Sequence, residues 1–355
     1  MNSSSNKQKS TFKFPAKKQI FSILFIILLS FGSIYLIAKN LKGDNNVGAF
    51  SIFDHHPEFL FGALVCMLLY IGIEGVCIKF SATCIGERFK YRRSVVYASN
   101  DIYFSAITPS ATGGQPVAVY YMMKDGISLA HSSAVLLINL TAYTVSLIIL
   151  AVVAFAFNPD SVLGGDFTFK LLYVIGIAAN LILLGGTFLC MYCRKLVEKL
   201  GNFAINLLSK IKLIKNPQRK RERLSVSLNS FQSSIELFGH NKLLYCVVLL
   251  FNILQRLAIF SVPFFIYLGF GLKGFNWFDF IIVQTNLAVA VNCLPLPGGV
   301  GASEFVSQAL YTPIFMEFML PGLVLTRSFS FYICFTLCGV ISIINHISLL
   351  RKTRK

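Results

Sequence analysis

The sequence predicts an all-α fold: a polytopic transmembrane helical bundle with two Pro/Gly-broken, re-entrant segments in an inverted repeat. Three observations carry this. The 355-residue chain is 55% apolar and only 13% charged, against about 25% charged in soluble domains, and its mean hydropathy is +0.68. The apolar residues fall in continuous runs near the roughly 18–20 that span a bilayer as helix, without the alternation a membrane barrel needs. The Lys and Arg residues, which give a net charge of +17, gather at the ends of those runs, where they face lipid headgroups and set topology. Placed there, they argue against direct nucleic-acid binding.

Residues 1–18 carry five lysines and no acid, and are expected to be a disordered cytoplasmic tail. The first apolar run, 20–38, is longer than a signal-peptide core and lacks a small-x-small cleavage site, so it reads as a signal anchor. It opens a transmembrane domain placed at 19–350. A second span covers 59–80, followed by the basic turn GERFKYRR at 86–93.

The stretch 95–123 is apolar but interrupted by Thr-Pro-Ser-Ala-Thr-Gly-Gly-Gln-Pro, and neither half is long enough to span alone. Regular spans resume at 132–157 and 169–192. A basic loop at 194–242, with eleven Lys/Arg against three acids, should lie on an anionic inner leaflet. A span at 243–270 precedes the second broken segment, 278–311, with Pro295-Leu296-Pro297-Gly298-Gly299 at its middle. The last span, 323–350, ends in a basic tail at 351–355.

With a cytoplasmic N-terminus, every Lys/Arg-rich connection falls inside and every poor one outside, as the positive-inside rule requires. The C-terminus is then cytoplasmic too, in a cell membrane. The first broken segment starts and ends at the inner face and the second at the outer face, the arrangement of an inverted-topology repeat. Two short tilted crossings per segment would keep the same parity.

Non-helical backbone at membrane depth is tolerated only where protein buries it or a wet cavity lies beside it. The breaks, with Gly113, Gly114, Pro297, Gly298 and Gly299, therefore point to a central cavity. Half-helix N-termini after Gly114 and Gly301 would direct N–H groups at an anion such as a lipid phosphate. Charges in apolar runs should face the bundle interior. Arg256 and Arg327 suit a phosphate, and Glu74, Asp101 and Glu304 suit an ammonium, with Arg256 and Glu304 as the opposite charges of one polar path. Internal ion pairing competes with this reading, as does snorkelling of Arg327 to the interface. Gln115, Gln284, Asn286 and Asn292 flank the breaks and either line the cavity or join helices.

No catalytic residue, metal site or cofactor is predicted. The nine cysteines read as free thiols; Cys190-x-x-Cys193 lacks a second pair for zinc, and His55-His56 is too small a set. Walker A, GxSxG, HExxH and Rossmann patterns are absent.

The Thr108-Pro-Ser-Ala-Thr-Gly-Gly-Gln-Pro and Leu294-Pro-Leu-Pro-Gly-Gly-Val-Gly-Ala-Ser-Glu304 segments resemble the paired signatures of the lysylphosphatidylglycerol synthase/flippase membrane-domain family. The resemblance runs from the first span to the last. It implies a lipid-handling bundle that moves a phospholipid or aminoacyl-phospholipid between leaflets, with a membrane component of lysyl-lipid synthesis, or a non-transporting partner of an envelope lipid or polyprenyl-phosphate enzyme, as the alternatives. In two-part members such a domain is joined to a soluble transferase that moves lysine from lysyl-tRNA to phosphatidylglycerol. This chain stops at Lys355, just after the last span, so aminoacyl transfer is not expected of it alone. A separate transferase and anionic phospholipids are the expected partners; the oligomeric state is left open.

Overall fold

The computed structural model describes residues 52, 55–210, 217–239, 242–292 and 294–354. The basic tail at 1–18 and the signal anchor at 20–38 lie outside the described residues. Among those described, the regular structure is entirely helical.

Helix α1 (Phe59–Cys84) begins after Pro57 and stops at Gly86, whose φ of +83° lets its N–H turn back to the Thr83 carbonyl. The first broken segment follows as α2 (Tyr91–Ala106), a 3-10 turn (Pro109–Ala111) and α3 (Gly114–Lys124). Then come α4 (Leu129–Phe157), the short α5 (Asp160–Leu163) and α6 (Phe167–Tyr192). Ser128 caps α4 by accepting the His131 N–H, and Asp166 caps α6 by accepting that of Phe169.

The segment expected as a basic loop is helical: α7 (Arg194–Lys210) and α8 (Pro217–Gly239) pack on each other, and α8 packs on α4. Leu196, Leu200, Phe203 and Leu207 form an exposed apolar stripe along α7, at helical spacing. Polar composition hid that period from a reading based on charge.

Helices α9 (Lys242–Phe260) and α10 (Val262–Gly269) form one crossing, broken at Ser261 ahead of Pro263. The second broken segment is α11 (Trp277–Val291), a 3-10 turn (Pro297–Gly299) and α12 (Ala302–Phe315). Asn276 caps α11, accepting from Phe278 and Asp279 while the Asp279 carboxylate accepts the Asn276 N–H. The last crossing is α13 (Met319–Arg327), a π turn (Ser328–Ile333) and α14 (Cys334–Arg354).

Helices 59–84, 129–157, 167–192 and 242–269, with a fifth stretch inside 297–351, are long and apolar enough to cross a membrane. The protein is thus a multi-pass membrane protein. Helices α1, α4 and α9 pack against one another at its centre. Outward-facing Leu171, Val174, Leu181 and Ile182 of α6 remain exposed, as a lipid-facing surface should.

Both broken segments are hairpins rather than pairs of crossings. In the first, α2 and α3 pack together and Arg93 donates to Asp125, while Tyr97 Oη donates to the same carboxylate at 2.5 Å. In the second, α11 and α12 pack together, with Phe280 and Phe315 rings 6.1 Å apart and Gln284 donating to Tyr311 Oη. The hairpins open at opposite ends of the bundle. Arg93 bonds Asn345 near the end of α14, whereas Phe270 stacks on Phe318 beside His55, ahead of α1.

Candidate functional site

The two breaks follow one backbone path before they diverge. Thr108 and Leu296 are extended, at φ/ψ of −117°/143° and −107°/133°. A proline follows each, then two left-handed residues: Ser110 and Ala111 at φ 51° and 54°, Gly298 and Gly299 at 60° and 64°. A new helix starts at the same distance beyond each proline, at Gly114 and at Ala302. The two turns touch, so the hairpins meet tip to tip, with Pro297 buried at the second tip and residues 109–112 of the first exposed. Gly298 is required twice over: its φ suits glycine, and a Cβ there would stand 2.4 Å from the Phe331 ring.

Each helix N-terminus beyond a break faces a carboxylate of the protein. At the second, Glu304 is fully buried and its Oε2 accepts from the Gly301 N–H at 2.6 Å and Ser303 Oγ at 3.0 Å. Its Oε1 accepts from Arg327 Nε at 2.8 Å. At the first, Asp101 Oδ1 lies 2.1 Å from where a Cβ on Gly114 would be, so only glycine admits it. At the second break the helix N-terminus expected to face a phosphate is engaged by Glu304 through the Gly301 N–H, whereas at the first Asp101 lies against Gly114.

Arg327 does not snorkel. Its guanidinium lies 4.7 Å from the Phe331 ring centroid while holding Glu304, and its buried Nη2 has no acceptor among the described residues. Arg256 is not the partner of Glu304 either. It donates from Nε to Ser146 Oγ and from Nη2 to the Tyr143 carbonyl, both at 2.8 Å, and stacks 3.7 Å from the Tyr143 ring centroid. Arg256 and Glu304, expected along one polar path, thus bond to different partners, and a second polar cluster lies beside Arg256.

The second site centres on Glu74, which is 5% exposed. Asn139 Nδ2 donates to its Oε1 at 2.7 Å and Gln255 Nε2 to its Oε2 at 2.6 Å. Sequence reasoning missed Asn139, Asn252 and Gln255. Asn252, Gln255 and Arg256 do stand at i, i+3 and i+4 in an apolar run, the signature of one inward-facing stripe.

Of the remaining predicted residues, Gly113 donates its N–H to Thr108 Oγ1 at 2.8 Å, closing the first turn. Pro297 is buried at the second tip, Gln115 is half-buried, and Asn292 is exposed beside it. Asn286 donates to Ser161 Oγ at 2.8 Å, which makes it a helix-joining residue.

Fold and site together define a class: a multi-pass helical membrane protein whose two re-entrant hairpins, open at opposite ends, meet tip to tip, each with a carboxylate beside its break. The chain belongs to the family described as lysylphosphatidylglycerol synthase TM region, which matches residues 19–338. It is thereby a membrane domain associated with lysylphosphatidylglycerol metabolism. No curated protein matches the chain.

Proposed function

We propose that this protein is a lipid translocase that moves a phospholipid with a cationic aminoacyl headgroup, such as lysylphosphatidylglycerol, between the leaflets of a cell membrane. The observation that carries the reading is the meeting of two hairpin tips from opposite ends of the bundle, each beside a carboxylate. Irregular backbone at that depth needs a polar surround, and Asp101 and Glu74 are carboxylates of charge opposite to an ammonium, Glu304 being already paired with Arg327. Family membership supports the lipid class. In this reading the basic end, with α7, α8 and the end of α14, faces the cytoplasm.

The test is a leaflet assay. Proteoliposomes carrying labelled lysylphosphatidylglycerol in one leaflet should equilibrate it faster than protein-free vesicles, and Gly298→Val should abolish the gain. Equal rates with and without protein would remove the reading. A second reading, a membrane component serving a separate lysyl transferase, rests on the family's description. It is tested by whether lysyl-lipid formation by an added transferase rises with this protein present.

A further inference from the structure

The cluster around Glu74 contains more acceptors than donors. Asn252 Nδ2 donates to Asn139 Oδ1 at 3.3 Å and to the Val248 carbonyl at 2.9 Å. Gln255 Nε2 donates to Glu74 at 2.6 Å. These bonds fix both carboxamides, because turning either one would set oxygen against oxygen. Left over are Asn252 Oδ1 and Gln255 Oε1, on side chains only 0% and 1% exposed, and no donor among the described residues reaches them. Buried acceptors are nearly always satisfied.

The two residues are three apart on α9, hence on one face, and Gln255 directly binds the Glu74 carboxylate. Charge runs the same way. The direct partners of the Glu74 carboxylate, Asn139 and Gln255, are neutral amides, and the neighbouring Arg256 commits its Nε and Nη2 to Ser146 Oγ and the Tyr143 carbonyl. The Glu74 carboxylate and the two orphaned carbonyl oxygens make a buried, oxygen-lined cluster with no directly bonded cation among the described residues.

We propose that Glu74, Asn252 and Gln255 form a binding site for a small monovalent cation. Side-chain and backbone oxygens at membrane depth are the ligand set that sodium and protonated amines take in transport proteins. The cation has two sources, a free alkali ion or the primary ammonium of an aminoacyl lipid. The second source rests on the translocase reading; the first does not.

The experiment measures thermal melting of the purified full chain in detergent, in choline chloride replaced stepwise by sodium, potassium or methylammonium chloride at constant ionic strength. A parallel series adds lysylphosphatidylglycerol or phosphatidylglycerol. The expected result is a saturable rise in melting temperature that choline and phosphatidylglycerol do not give. A rise with sodium or potassium alone assigns a free ion. A rise with methylammonium and lysylphosphatidylglycerol assigns the headgroup. Glu74→Gln should weaken the apparent affinity about tenfold or more. Gln255→Met, which keeps the charge and nearly the volume, should weaken it too and serves if Glu74→Gln does not fold. No rise with any cation, or an unchanged rise in the variants, overturns the proposal. Because binding is read without transport, a cation-dependent rise in a protein that moves no lipid would leave this site standing and remove the translocase reading alone.

Discussion

Replacing Arg327 with Met isolates what the ion pair contributes to the second hairpin. Glu304 is 0% exposed and would keep two neutral donors, the Gly301 N–H and Ser303 Oγ. Leaving a buried charge uncompensated costs about 3–5 kcal/mol. The lower end is expected here, because only Nε reaches Glu304 and the arginine side chain retains 13% exposure. Arg327→Met should therefore destabilise by about 3 kcal/mol. The double variant with Glu304→Gln should lose less than the two single losses added together, by about 1 kcal/mol or more. The chain has one tryptophan, Trp277, at the start of the same hairpin, so its fluorescence reports unfolding in mixed micelles without an added label. An Arg327→Met protein within about 0.5 kcal/mol of the parent would refute the argument that this pair holds the hairpin.

The other expectations follow from geometry. Gly298→Ala places a Cβ 2.4 Å from Phe331 at a φ of +60°, and should lose about 2–4 kcal/mol by unfolding measurements. Ser110→Gly, at the equivalent left-handed position, should be neutral or gain about 1 kcal/mol in the same assay. At Gly176 a Cβ would meet the Val289 carbonyl at 2.0 Å; Gly176→Ala should push α6 off α11, cost about 1–3 kcal/mol and lower the melting temperature. Cysteines introduced at Lys199 and Asp160 should react with impermeant reagent from opposite sides of the membrane, and labelling from one side would undo the opposite entry of the hairpins. A spin label at Phe203, 65% exposed on α7, should collide with oxygen more than with a polar nickel chelate, because its stripe faces acyl chains.

The crossings and the breaks were legible in the sequence because their signals are local. An apolar run long enough to span announces itself, and Pro109, Pro297 and the paired glycines mark where a helix stops. Pairing across helices is not local. Arg256 and Arg327 look alike as single charges in apolar runs, and nothing in their order says that the second meets Glu304 while the first turns to Ser146 and the Tyr143 carbonyl. That choice depends on which helix faces meet. The helix N-termini misled for a related reason: a positive dipole end attracts any nearby anion, and a glutamate in its own first turn is nearer than a lipid. Helices α7 and α8 were hidden by their charge, although Leu196, Leu200, Phe203 and Leu207 keep the helical period.

The last crossing touches both hairpins. At one end Arg327 grips Glu304 in the second; farther along, Ser342 donates to Asn100 at 3.0 Å and Asn345 accepts from Arg93 at 3.1 Å in the first. Between these grips lies the π turn at Ser328–Ile333, where the helix is wound one residue looser than its neighbours. The crossing is thus a connecting rod with a compliant joint. Neither hairpin can slide along the membrane normal without breaking its own grip, dragging the other, or flexing the rod at that joint. The two hairpins are therefore tied to each other through one crossing, and the π turn is the place where that tie can yield.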